Sequence, residues 1–158
     1  MFGKLRLLSL VGVLGAVGCA HAVIPGTKVV DTEENREVVD VVRRAQEAMK
    51  SRDLNGLIAV ISKSYFETLG NSDPKDDYGY QELTERILPR SFSTAKEIQL
   101  NFEIHDVVIE GADAFADIRY HSRAKLELPA GTLWDSHREF SRIRLSREGQ
   151  QWLITGGL

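Results

Sequence analysis

Asp117, Arg119 and His121 alternate through the stretch ADIRYHSR. In a strand, period-two spacing puts all three on one face. A carboxylate beside an imidazole can hold its charge and fix its tautomer, the minimum for general acid–base work. The intervening Ala114, Ala116, Ile118 and Tyr120 are the more apolar set, so they are expected to face a core. The charged set then looks outward, where Glu103, Arg138, Arg142 and Arg144 of neighbouring strands can pair with it. His105 and His137 have no partner within sequence reach, and no His/Cys/Asp/Glu spacing reads as a metal site. No catalytic residue, metal or cofactor is therefore expected. Asp73, Asp76 and Asp77 in GNSDPKDD lack the alternating acids and distal glutamate of a calcium loop and read as turn and cap residues. Aromatics with a polar handle are better binding candidates. Tyr65, Tyr78, Tyr80, Tyr120 and Trp134 could ring a pocket for a small apolar ligand, or fill it themselves.

The chain's one cysteine, Cys19, closes an apolar run. The opening MFGKLR carries Lys4 and Arg6 and no acid. Leu7 to Val17 is uncharged and too short to cross a bilayer core of ~30 Å, which takes about 20 residues. A basic start, a short apolar middle and small residues at the end make a secretory signal. Ala16-Val17-Gly18-Cys19 resembles the bacterial lipobox, in which the thiol is acylated and the chain is cut just before it. That resemblance implies a lipoprotein signal peptide over residues 1–18, a lipidated tether over 19–30 and a domain over 31–158. Ala20-His21-Ala22 is itself a passable small-x-small site, and cleavage there without lipidation is the competing reading. No intrachain disulfide can form with one cysteine, and acylation would consume a thiol that is a liability in an oxidising compartment. Ala20, rather than an aspartate, after the cysteine points to the outer rather than the inner membrane, with the domain on the periplasmic side of the cell envelope. Removing residues 1–18 takes two basic residues and no acid, moving the formal charge from −3 to −5. That balance disfavours a nucleic-acid partner and a polybasic membrane patch, leaving the anchor as the expected membrane contact.

The elements follow from periodicity. The tether contains the turn signal Pro25-Gly26, and Val23, Ile24, Val29 and Val30 can pack on the domain edge. Val38, Val41, Val42, Ala45 and Met49 predict a helix over Thr32–Ser51, with Asp31 and Glu34 as a capping box. Asp53 is the expected cap of a second helix carrying Leu54, Leu57, Ile58 and Ile61. A third runs near Tyr78–Leu88, with Pro89 as its stop. From Ser91 onward the period falls to two. Strands are expected over Glu97–Glu110, Asp113–Leu128, Leu133–Arg147 and Gln151–Thr155. Phe140 is out of phase with Ile143 and Leu145, which predicts a one-residue bulge near Ser141.

Helices followed by long antiparallel strands make an α+β chain with segregated elements. AMKSRDLNGLIAVISKSYFE resembles the first helical hairpin of the NTF2-like (SnoaL-like) superfamily, and GQQWLITGGL is similar to its last strand. The longer pattern YFETLG … DDYGYQEL … W … W-x-I-x-x-G-L resembles a group of bacterial envelope lipoproteins that carry this domain. The likeness covers about residues 31–158. It implies an NTF2-like cone: three N-terminal helices packed on a curved antiparallel sheet of about four strands, with a pocket between them. Two functions stand on that cone. One is a lipid-anchored envelope binding or interaction module without catalysis, taking a small apolar ligand. The other is a small-molecule isomerase, dehydratase or cyclase using an Asp/His pair in the cone. A homodimer through the open sheet face is compatible with either.

The lipobox reading has a direct test: Cys19→Ser should abolish acyl labelling and release the protein from the membrane fraction. A Ser variant that stays as membrane-bound as the parent would show that Cys19 is no anchor.

Overall fold

Helix α1, Glu33–Ser51, sets the frame for the other elements. The computed structural model describes residues 22–71 and 73–158. Cys19, the signal peptide and the start of the tether lie outside the described residues. Thr32, not Asp31, caps α1, its hydroxyl accepting from the Asn35 N–H. Asp31 instead pairs with Arg36, which takes it out of the capping role. Glu33 and Glu34 sit in the first turn, where the helix dipole favours acids. The buried stripe is Val38, Val39, Val41, Val42, Ala45 and Ala48. Before α1, Val23 pairs with Val30 across a turn; these two are exposed, while Ile24 and Val29 bury themselves.

Asp53 caps the short α2 (Leu54–Ile58) by accepting from the Gly56 N–H. A two-residue hairpin follows, β1 (Phe66–Glu67) with β2 (Tyr78–Gly79). The third helix starts as α3 (Tyr80–Glu82), passes through one π-helical turn (Leu83–Ile87) and ends as α4 (Leu88–Thr94). Pro89 therefore does not stop it. Proline lacks an N–H, and its ring crowds the carbonyl four residues back. Here the chain widens into the π turn just ahead of the proline and continues.

Four long strands form one antiparallel meander in the order β3 (Ala95–Glu110), β4 (Asp113–Leu128), β5 (Gly131–Glu148), β6 (Gln151–Gly156). The β4–β5 register is unbroken from Asp113↔Ser146 to Leu128↔Gly131, so there is no bulge at Ser141. Phe140 accordingly points outward and is 72% exposed. The expectation of a bulge assumed that a large apolar side chain must be inside. This one stays in solvent beside a cation: the Arg119 guanidinium lies 4.8 Å from its ring centroid, and the His105 ring meets it edge-on at 5.9 Å. Register shifts fall instead in the β3–β4 pairing, at Ala95/Glu97 and Ile104/Asp106, and in the β5–β6 pairing at Arg144/Leu145. The Ile104 carbonyl accepts from the Lys28 N–H at 3.1 Å, tying the segment before α1 to the sheet.

The inner face of the sheet buries Ile104, Val107, Ala114, Ala116, Ile118, Ile143, Leu145, Trp152 and Ile154 in one cluster with the α1 stripe. Trp152 keeps its indole N–H satisfied by donating to Glu37 at 3.2 Å. The architecture is the expected α+β cone, three helical segments on a curved four-stranded sheet.

Candidate functional site

The sheet is longer than the helices cover. Past Ile118 the inner face of β4 continues with Tyr120, Ser122, Ala124 and Leu126. Opposite them on β5 stand Glu139, His137, Asp135 and Leu133. On β3, Phe102, Leu100 and Ile98 complete the row. The helix carrying α4 leans over the β3–β4 part of this region and leaves a hollow of about 340 Å³. Its lining includes Phe92, Ala95, Ile98, Ala124 and Leu126, with Arg90 as its only charged residue. The Thr94 hydroxyl at the rim is spent on the Arg90 carbonyl. A second recess of about 420 Å³ adjoins it, between Lys50 at the end of α1 and segments 98–101 and 121–123. Such a place can hold an apolar body by desolvation, but the first hollow offers no acid and no imidazole.

The five sequence-predicted aromatics divide among three places, and none lines either hollow. Tyr65 is in the core at 2% exposure, stacked on Tyr78 with ring centroids 6.3 Å apart. Burial, then the neighbouring Tyr78, push the Tyr65 phenol far above its ordinary range. Its hydroxyl accepts from the Leu158 N–H. Burial followed by the Glu67 charge raises Tyr78 as well. Tyr80 stands nearby under the Lys63 ammonium, which lies 4.0 Å from the ring centroid and donates to the hydroxyl at 2.6 Å. Tyr120 lies on the inner face of β4 and donates to Glu139 at 3.2 Å; burial, then this bond, raise its phenol. Trp134 is on the opposite, outer face of β5, with the Arg123 guanidinium 4.2 Å from its ring centroid.

Glu67 and Asp135 are both held by specific partners. The buried Glu67 carboxylate accepts from the N–H groups of Thr68, Leu69 and Gly157, so it is occupied in holding backbone. Asp135 pairs with His137 at 2.9 Å on the inner face of β5, both side chains about half exposed. The register sets Asp135 opposite Ala124 and His137 opposite Ser122, which places the pair at the edge of the open region. The signal was in the sequence: Asp-Ser-His is an i, i+2 pair, and a strand puts such a pair on one face. His137 thus has a partner two residues away, contrary to the expectation that none lies within sequence reach. His105 lies 3.6 Å from Glu103 and 3.5 Å from Lys28.

The Asp117 set is on the outer face. Asp117 forms a two-pronged pair with Arg142, at 2.6 and 2.8 Å, and Arg119 lies 3.5 Å from Glu103. The Arg142 hydrogen bond holds the Asp117 carboxyl below the usual carboxylate range, against an opposing effect of burial. The strand therefore presents its charges to the outside and its alanines to the helices.

No family model and no curated protein matches the chain by sequence. Solved structures do match. A proposed dehydratase of the NTF2-like family from Streptomyces avermitilis is 13% identical, with a TM-score of 0.60 over 78% of this chain and 92% of that one. A proposed ketosteroid isomerase from Shewanella frigidimarina is 12% identical, with a TM-score of 0.58 over 75% of this chain and 89% of the other. A proposed scytalone dehydratase from Novosphingobium aromaticivorans is 9% identical, with a TM-score of 0.62 over 78% and 80%. The chain thus has the NTF2-like fold, a fold shared with proteins described as isomerases and dehydratases.

An exposed ion pair contributes little, so Asp117→Asn should lower stability by about 0–1 kcal/mol near neutral pH. Because the folded carboxyl is depressed, its contribution is present above the unfolded value of about 4 and disappears as pH falls through the folded value. Thermal unfolding of parent and variant from pH 7 down to pH 2 should converge at the acid end. An Asp117 resonance that titrates near pH 6 or above would contradict this placement.

Proposed function

We propose that the chain is a lipid-anchored binding module of the cell envelope, non-catalytic, which takes a small apolar ligand between α4 and the β3–β4 end of the sheet. One observation carries this reading. The opening between helices and sheet is walled by Phe92, Ile98, Ala124 and Leu126, and its lining holds one guanidinium and no group suited to proton transfer. Its volume of about 340 Å³ is at the small end of ligand sites, which run from ~300 to ~1,000 Å³. Beneath α1 the interior is filled by the protein's own side chains, Tyr65, Leu57, Ile143 and Ile154 among them. The anchor rests on the AVGC motif at Cys19. Anchoring by this route would place the domain on the periplasmic side, at the outer rather than the inner membrane. Among the described residues no helix is long and apolar enough to cross a membrane.

A second reading, an isomerase, dehydratase or cyclase, is favoured by one feature, the Asp135–His137 pair at the edge of the open region. Binding and turnover separate cleanly, because the hollow does not need the imidazole to hold an apolar ligand. The neutral fluorophore N-phenyl-1-naphthylamine should bind the full chain saturably with one site. Ala124→Trp, which fills the hollow, should weaken it by about tenfold or more, or ~1.4 kcal/mol. His137→Ala should leave it unchanged. Absence of saturable binding, or binding indifferent to Ala124→Trp in a variant that melts like the parent, would sink the proposal.

A further inference from the structure

The hollow under α4 sets one cation, Arg90, among apolar walls of Phe92, Ala95, Ile98, Ala124 and Leu126. The other cations nearby are spent. Arg86, four residues back along the helix, pairs with Glu82. Lys96 pairs with Glu127 at 2.6 Å, and Lys50 of the adjoining recess with Glu47 at 3.0 Å. Among the described residues, no carboxylate lies within ion-pair distance of Arg90 and its guanidinium makes no hydrogen bond. Only its carbonyl is used, accepting from the Ser93 and Thr94 hydroxyls. The acid on the facing strand, Asp135 opposite Ala124, is held by His137 at 2.9 Å and does not line the hollow. The apolar wall also continues past the hollow. Alternation along β4 carries Ala124 and Leu126 on to Leu128, and Leu133 of β5 stands opposite Leu126. Leu128 is 39% and Leu133 52% exposed. From Ala124 to Leu128 the track is four residues of ~3.4 Å each, roughly 14 Å. An apolar track that starts in a recess and runs out into water has the form of a ligand groove.

We infer that the ligand of this hollow is a single-chain amphiphile: one acyl chain against Ile98, Ala124, Leu126 and the exposed leucines beyond, and one anionic head paired with Arg90. The inference rests on the binding-module reading and names the class of ligand for that same site. Apolar walls gain only from a body that sheds water. The guanidinium keeps its charge at every working pH and takes a carboxylate or phosphate through two parallel N–H donors. A neutral ligand gains nothing from it. A cationic ligand is repelled and finds no acid in the lining to pair with. A fully exposed ion pair is weak, but the apolar wall excludes water from one side of this one, and that strengthens it. A fatty acid and a monoacyl phospholipid share this chemistry.

Calorimetric titration of the full chain with ligands that share a ten-carbon chain, each below its micelle concentration, tests this. Decanoate or decyl phosphate should bind at least about tenfold more tightly than decanol, with decyltrimethylammonium the weakest. Tighter binding of decanoate marks a fatty acid as the source of the head group, and tighter binding of decyl phosphate a phospholipid. Arg90→Gln should bring both anions to within a few-fold of decanol and leave decanol unchanged. Arg90→Glu should make decyltrimethylammonium the tightest of the four. Both variants should melt like the parent, because the Arg90 side chain is exposed and holds nothing in place. Decanol binding as tightly as either anion overturns the inference; if Ala124→Trp then weakens decanol, the apolar hollow itself still stands. An anion preference that survives Arg90→Gln overturns the inference as well. Absence of saturable binding by all four overturns it together with the reading beneath it.

Discussion

Helix α1 can lie flat on the sheet because β4 offers it two alanines. Ala114 and Ala116 are both fully buried, as are Val38, Val42 and Ala45 on the facing stripe. Large residues at those strand positions would hold the helix off and leave the space between empty. With the small ones the two layers close to contact distance, and interiors of this kind leave few voids. The consequences run along the whole sheet. Trp152 and Ile154 of β6 can reach the same cluster, and the indole N–H finds Glu37 on the helix. At the other end of α1, Gln46 grips the β3 backbone, donating to the Leu100 carbonyl and accepting from the Phe102 N–H. Beyond that grip the strands outrun the helices, and the hollow under α4 is what remains.

Each face of the sheet therefore has its own chemistry. The inner face is apolar where helices cover it and turns mixed where they do not, with Tyr120, Glu139, His137 and Asp135 half in water. The outer face is charged along its length, and its aromatics stand beside cations rather than in a core. Phe115 has Arg142 over it, Phe140 has Arg119, and Trp134 has Arg123. Such stacking leaves the guanidinium free to make a second contact, as Arg142 does with Asp117.

Much of this was legible in the residue pattern because burial writes a period into the chain. The i, i+3, i+4 stripe of α1 and the alternation Ala114, Ala116, Ile118 carry the face assignment unaided, and with it the outward placement of Asp117. What the pattern hid depends on context. Thr32 and Asp31 are both good caps, and only the ion pair to Arg36 decides between them. Pro89 reads as a stop, but a π turn ahead of it lets the helix go on. Phe140 reads as core because no local rule anticipates an exposed ring set beside a guanidinium of the neighbouring strand. The hollow was the least legible feature. Its walls come from α4, β3 and β4, with Phe92 and Ile98 meeting Leu126 of the next strand, and each of these residues is individually ordinary. Tyrosines with polar handles drew attention instead, although Tyr65 is needed to fill the base of the core and Trp134 belongs to the outer face.

One strand serves two regimes: β4 buries its inner face over residues 114–118 and borders an open region over residues 120–128. Amide hydrogen exchange along β4 measures this directly, since protection follows local packing and opening. Peptides covering 120–128 should exchange at least about tenfold faster than those covering 113–119, and a saturating apolar probe should slow only the former. Uniform protection along β4, or a probe that slows exchange at Ala114–Ile118 instead, would contradict the account.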